Sequence, residues 1–149
     1  MILENENTIR KFENTDYFGY LFHVSYDGLM FDSFDENPDM ISVKSKFREL
    51  LESNNIKFYK GIQQAGRTDK DVSASNNILY INSKQDIKLS GLKNFKTDGL
   101  TITKIEKTMP FLELPSLIKS RHYVYKYPTD KIANTKDEIN KICESLSGE

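Results

Sequence analysis
The chain has 149 residues, 38% hydrophobic and 29% charged, and its 21 Lys and Arg against 22 Asp and Glu leave a net charge of −1. That suits one domain with a real core, since a chain of this size buries roughly 68–70% of its unfolded surface. No apolar run approaches the ~18 residues of a membrane span, the opening MILENENTIRKFENTD lacks the apolar segment of a signal peptide, and the single cysteine, Cys143, excludes an internal disulfide and fits a reducing cytoplasm.

Residues 1–17 are polar and mixed in charge and are expected to form a mobile arm. Tyr20, Phe22, Val24 and Tyr26 then alternate with Leu21, His23 and Ser25, the period of a half-buried strand. His23 falls within that strand with no second His or Cys at ligand-like spacing, which favours a structural role. Asp27-Gly28 makes a turn, and residues 31–39 read as a loop carrying Asp32, Asp35 and Glu36.

Over residues 42–53, Val43, Phe47, Leu50 and Leu51 share one face of a helix, with Ser42 as its N-cap. Asn54-Asn55 ends that helix before a strand containing Ile56, Phe58 and Ile62. Residues 78–81 form another strand. Ile87, Leu89, Leu92 and Phe95 suggest a short helix weakened by Gly91, and Leu100, Ile102 and Ile105 a further strand supported by Thr101 and Thr103.

A connector follows from Pro110 to Pro115, then a strand over 121–127 with Tyr123, Tyr125 and Tyr127 on one side. Thr135-Lys136-Asp137-Glu138 has capping-box spacing, and Ile139, Ile142, Cys143 and Leu146 make the stripe of a last amphipathic helix. Pattern alone gives an α+β fold.

Between the second and third strands lies Ala65-Gly66-Arg67-Thr68-Asp69-Lys70-Asp71-Val72-Ser73-Ala74. Gly66 permits a turn that other residues resist, so Arg67 and Asp69 project from a loop between two strands, where a scaffold displays chemistry. Spacing by itself favours a surface turn with a local Arg/Asp pair, because such charge pairs are often structural. The charge balance is not that of a basic nucleic-acid binder. Acidic residues gather in the first 55 positions and lysines between Lys84 and Lys107, which leaves room for a local basic face.

AGRTDKDVSA resembles the AGRTD-x-GV-[HS]-A signature of the TruA pseudouridine synthases. Tyr20 to Phe31 resembles that family's opening strand and YDG-x-x-F segment, and Ser120 to Tyr127 resembles its R-x-Y-x-Y segment. The motifs stand in the family's order, and the resemblance runs over about residues 18–149, closest to the archaeal and eukaryotic branch, which carries Ser where many bacterial members carry His. It implies a ferredoxin-like split βαβ topology, an antiparallel sheet with helices on one face.

It also implies a reaction. Uridine becomes pseudouridine when the C1′–N1 bond breaks, the base rotates and C5 joins C1′, with no redox change or net hydrolysis, so neither cofactor nor metal is required. By resemblance Asp69 is the catalytic carboxylate, acting as nucleophile or base. Arg67 helps flip the nucleotide or orients Asp69, Tyr123 stacks on the uracil, and Thr68 and Arg121 complete the substrate-binding set. The implied partner is tRNA in its anticodon stem-loop region, with a homodimer or a complementing C-terminal half to finish the cleft.

Departures from the family pattern set further expectations. Ser33 replaces a glycine of F-x-G-[FW]-x-x-Q, and the carboxylates around it are expected to repel phosphate. Asp71 stands at a signature glycine, a position it tolerates better than most residues if φ is positive there. The chain ends at Gly148-Glu149, where family members continue into a pseudo-repeated second half. A catalytically silent remnant, serving as an RNA-binding or protein-interaction module, is the alternative reading. A metal-dependent hydrolase has little behind it, because His23 and His122 lie far apart in sequence.

Overall fold
A computed structural model describes residues 16–126. The expected capping box over 135–138, the helix over 139–146 with Cys143, and residues 1–15 of the arm lie outside them. The chain divides into two compact units, Met1–Lys119 and Ser120–Glu149.

The first unit is built on a five-stranded sheet in the order β2-β3-β1-β5-β4. Its strands are β1 (Phe18–Tyr26), β2 (Tyr59–Gln64), β3 (Ala74–Ser83), β4 (Lys96–Thr97) and β5 (Leu100–Thr108). All pairings are antiparallel, and β1 is central, with Phe22 opposite Leu79 of β3 and Ile105 of β5. The run β2-β3-β1-β5 is the strand order of a split βαβ unit, in which β3 returns between β1 and β2. The fold class read from the sequence, α+β with an antiparallel sheet, is the one observed. Among the described residues no helix is long and apolar enough to cross a membrane.

Helix α1 (Val43–Ser53) covers one face of the sheet. It starts at Ser42, whose side chain accepts from the Ser45 N–H at 3.0 Å while Ser45 Oγ accepts from the Ser42 N–H at 2.9 Å, a reciprocal cap. It buries Val43, Phe47, Leu50 and Leu51 against Tyr20, Phe22, Val24, Leu79, Ile81 and Ile102. Full burial of one such side chain contributes roughly 1.5–3 kcal/mol. The Phe22 and Phe47 rings meet edge to face at 5.1 Å. Asn54 caps the helix end, and Asn55 turns the chain through a positive φ of 56°.

The other face is covered by a smaller cluster of Leu21, Tyr80, Leu112 and Leu114. Here the connector lies over β2, tied by Gln63 to the Leu112 carbonyl and the Leu114 N–H, both at 2.8 Å. Its only regular piece is the single turn α2 (Leu114–Leu117), with Pro115 in its first turn.

Two expected elements differ. The helix expected from Ile87 to Phe95 is only a 3-10 turn, Leu89–Gly91. Its backbone groups are taken by side chains instead: Ile87 N–H by the Tyr20 hydroxyl, Lys93 and Asn94 N–H by Asn54. Ile87 is still buried and Leu89 and Leu92 still pack on the core, so the apolar pattern marked burial and not helix. In the second unit, residues 120–126 are not in a strand: the five strands of the described residues all lie in the first unit. Tyr17, at the end of the arm, packs edge to face on Tyr59 and Phe111.

Candidate active site
The loop joining β2 to β3 is anchored at both ends. Ala65 N–H donates to the Ile78 carbonyl at 2.9 Å, and Gly28 N–H donates to Ser73 Oγ at 2.9 Å. Between these ends the Tyr26 hydroxyl stands 2.8 Å from Thr68 Oγ1. Asn77, on β3, donates its amide to the Tyr26 hydroxyl at 3.1 Å and to the Gly66 carbonyl at 2.8 Å. Tyr26 is buried at the end of β1, packed against Phe31 and Phe34, so the strand itself carries the anchor. Such a network holds a loop in one arrangement when its members are satisfied.

The turn that opens β1's exit fits against the same loop. A Cβ at Gly28 would stand 2.3 Å from the carbonyl carbon and oxygen of Val72 and 2.6 Å from the Asp71 carbonyl carbon. Only a glycine allows this backbone approach. Beneath the loop only a crevice of about 10 Å³ remains, between residues 68–72 and the side chains of Phe31, Phe34 and Val43. Asp71 takes φ 68°, so the position does require the left-handed region, and Asp fills it in place of glycine. Val72 N–H closes the turn on the Asp69 carbonyl at 3.1 Å.

At the tip, Asp69 is exposed, and among the described residues no hydrogen bond or ion pair engages its carboxylate. The local Arg67–Asp69 pair that spacing allowed does not form. Arg67 Nε lies 2.8 Å from Asp35 Oδ2, across from the loop that follows β1. Thr68, by contrast, is turned inward to Tyr26. The structure therefore brings Arg67, Thr68 and Asp69 onto one loop with different duties: one paired outward, one anchoring, one presented to solvent.

The acidic stretch expected to repel phosphate is largely neutralised by its own neighbours. Asp32 Oδ2 accepts from the Ile41 N–H at 3.0 Å. Asp35 lies between Lys44, at 3.3 Å, and Arg67. Glu36 binds Arg48 of α1 through both carboxylate oxygens, the shortest contact 2.8 Å. That hydrogen bonding holds the Glu36 carboxyl below its ordinary range and raises the Arg48 guanidinium. Sequence distance hid these pairs, because their cations come from α1 and from the signature loop.

Beside the loop, at the same end of the sheet, is an open groove of about 490 Å³. Ser25, Asp27, Ser73, Thr97 and Thr101 are among the residues that line it, and Asp69 is not. His23, on the sheet face away from α1, sits 3.1 Å from Asn76 Oδ1 and 3.5 Å from Glu106 Oε1. Among the described residues no group of three or more His, Cys, Asp or Glu comes together in a metal-holding arrangement. Arg121 and Tyr123 belong to the second unit, in which Tyr123 and Tyr125 are exposed. The anchoring roles of Tyr26, Gly28 and Asn77 were not read from sequence. The YDG segment flagged the first two as a motif, and Asn77 carried no signal.

No family model matches the chain. Curated relatives do. It is 40% identical over 65 residues to tRNA pseudouridine synthase A of Picrophilus torridus, covering 44% of this chain and 25% of that protein. It is 30% identical over 130 residues to the tRNA pseudouridine synthase A of Pyrococcus abyssi, covering 84% of this chain and 46% of that one. The Borrelia duttonii protein of the same name is 31% identical over 109 residues, covering 70% and 44%. The chain thus spans less than half the length of these relatives. Within that span, its similarity to tRNA pseudouridine synthase A bears out the TruA resemblance carried by the motifs.

Proposed function
We propose that this chain carries the signature-loop half of a tRNA pseudouridine synthase, an isomerase that converts uridine to pseudouridine in tRNA. The observation that carries the reading is Asp69, an exposed carboxylate with no partner among the described residues, at the tip of a loop fastened by Tyr26, Thr68, Asn77 and Gly28. A structural carboxylate is normally spent on a cation or an N–H group; this one is not, while its loop is held firmly. Asp69 acts on the sugar–base unit as nucleophile or base. The C1′–N1 bond breaks, C5 bonds to C1′, the C5 proton leaves to solvent and N1 gains one. Nothing is oxidised or reduced.

Arg67 contacts the displaced nucleotide or its phosphate, Tyr123 stacks on the uracil, and Arg121 binds the backbone. The anticodon stem-loop is the proposed target, since an unpaired loop lowers the few kcal/mol that extruding a base costs. A homodimer or a complementing C-terminal half supplies the rest of the cleft. The second reading, a silent module that binds RNA or protein, is favoured by one observation: Arg67 is held by Asp35 and not poised beside Asp69.

Tritium release from bulk tRNA containing 5-tritiated uridine tests both readings, with wild type compared to Asp69→Asn. Release by wild type and none by the variant, both folded by circular dichroism, is the expected result. Equal release from both removes Asp69 from the chemistry. No release from either, even with a C-terminal half added, leaves the silent module.

A further inference from the structure
Asp35 and Arg67 make an ion pair whose two ends differ in freedom. Phe34, next to Asp35, is buried against Tyr26. The Asp35 carbonyl accepts from Ser33 Oγ at 2.7 Å, and the following Glu36 is clamped to Arg48. Asp35 is thus fixed to the core on both sides. The Arg67 side chain is 68% exposed against 33% for Asp35, with its Nε 2.8 Å from Asp35 Oδ2, so the guanidinium is the end that can leave. A guanidinium binds carboxylate and phosphate oxygens through the same N–H donors. The Asp35 carboxylate therefore stands where an RNA phosphate oxygen would approach Arg67.

We propose that Asp35 is an internal competitor for Arg67, an acidic latch that the RNA backbone must displace before the signature loop engages it. The inference rests on the proposed action on RNA and adds to it the residue that sets the strength of the grip. Exposed ion pairs have small worth, so the latch weakens binding by about two- to fivefold and does not abolish it. Opening it gives RNA one more cation to neutralise, which steepens the salt dependence of binding by about one in log–log slope. Lys44, the other cation on Asp35, has its ammonium 6.0 Å from the centre of the Phe34 ring and is mostly covered, so it has less reach toward a phosphate.

The test is fluorescence anisotropy of labelled bulk tRNA with the 149-residue chain, titrated at several sodium chloride concentrations. Asp35→Asn should bind about two- to fivefold tighter at low salt with a steeper slope. In an Arg67→Ala background the same substitution should change little. Glu52→Gln, which removes an equal charge from the exposed side of α1, reports the effect of net charge alone. If Asp35→Asn gains no more than Glu52→Gln, or gains as much without Arg67, the latch is refuted while binding to RNA stands. If no form binds tRNA in a salt-dependent way, the latch and the action on RNA fall together.

Discussion

Gly28→Ala tests whether the fit between the turn after β1 and the signature loop sets the site. The added methyl would sit 2.3 Å from backbone atoms of Val72 and 2.6 Å from Asp71, where no side-chain rotation gives relief. Ordinary contact is about 3.4 Å or more, so one backbone must retreat by about 1 Å. Overpacking of this kind costs about 1–3 kcal/mol, which lowers the melting temperature by roughly 3–10 °C for a domain of this size. The strain is directed. The bond from the Gly28 N–H to Ser73 Oγ stretches, and the retreat is passed to residues 69–73. A displacement of about 1 Å in a catalytic group can cost around a hundredfold in rate. Tritium release from tRNA and a calorimetric scan of the same preparation measure the two effects together. A Gly28→Ala protein that melts with wild type and keeps its activity would refute the claim that this contact positions the loop.

Tyr26→Phe keeps the buried ring but removes the hydroxyl shared by Thr68 and Asn77, and should cost about 1–3 kcal/mol in urea unfolding. Amide exchange should quicken over residues 66–72 and stay unchanged in α1; uniform quickening would mean the hydroxyl supports the whole fold and not the loop. Ser42→Ala removes the reciprocal cap of α1 and should cost about 0.5–2 kcal/mol by the same measurement. Burial pushes the Tyr80 hydroxyl from its ordinary 10.0 up to about 12. A folded-state value raised above the unfolded one gives stability that is full below pH 10 and lost as pH climbs toward 12. Tyr80→Phe should therefore be the less stable protein at neutral pH, having lost the bonds to Met109 and Leu112, with a gap that narrows above pH 10. Parallel stability curves would show that this hydroxyl does not titrate with unfolding.

What the sequence revealed and what it hid divide along a physical line. Period-2 alternation in β1 and the face shared by Val43, Phe47, Leu50 and Leu51 both follow from burial against a sheet, and both are where the pattern put them. The Ser42 cap and the Asn54 stop are local backbone chemistry, equally legible. The segment from Ile87 to Phe95 misled because burial without a helix leaves the same apolar spacing; what decided it was Asn54, some 40 residues upstream, taking the backbone donors. The site divides the same way. A positive φ at Asp71 was foreseeable from a glycine position in the motif, since the constraint is local. The partner of Arg67 was not, because proximity in sequence pointed to Asp69 and proximity in space gave Asp35, brought alongside by the burial of Phe34. That exchange of partners leaves Asp69 uncommitted among the described residues. Had Arg67 folded back onto it, the carboxylate would have been held as one half of a local ion pair, and the loop would be an ordinary surface turn. By drawing the guanidinium away, Asp35 both restrains Arg67 and leaves the Asp69 carboxylate exposed, the state that the proposed chemistry would require of it.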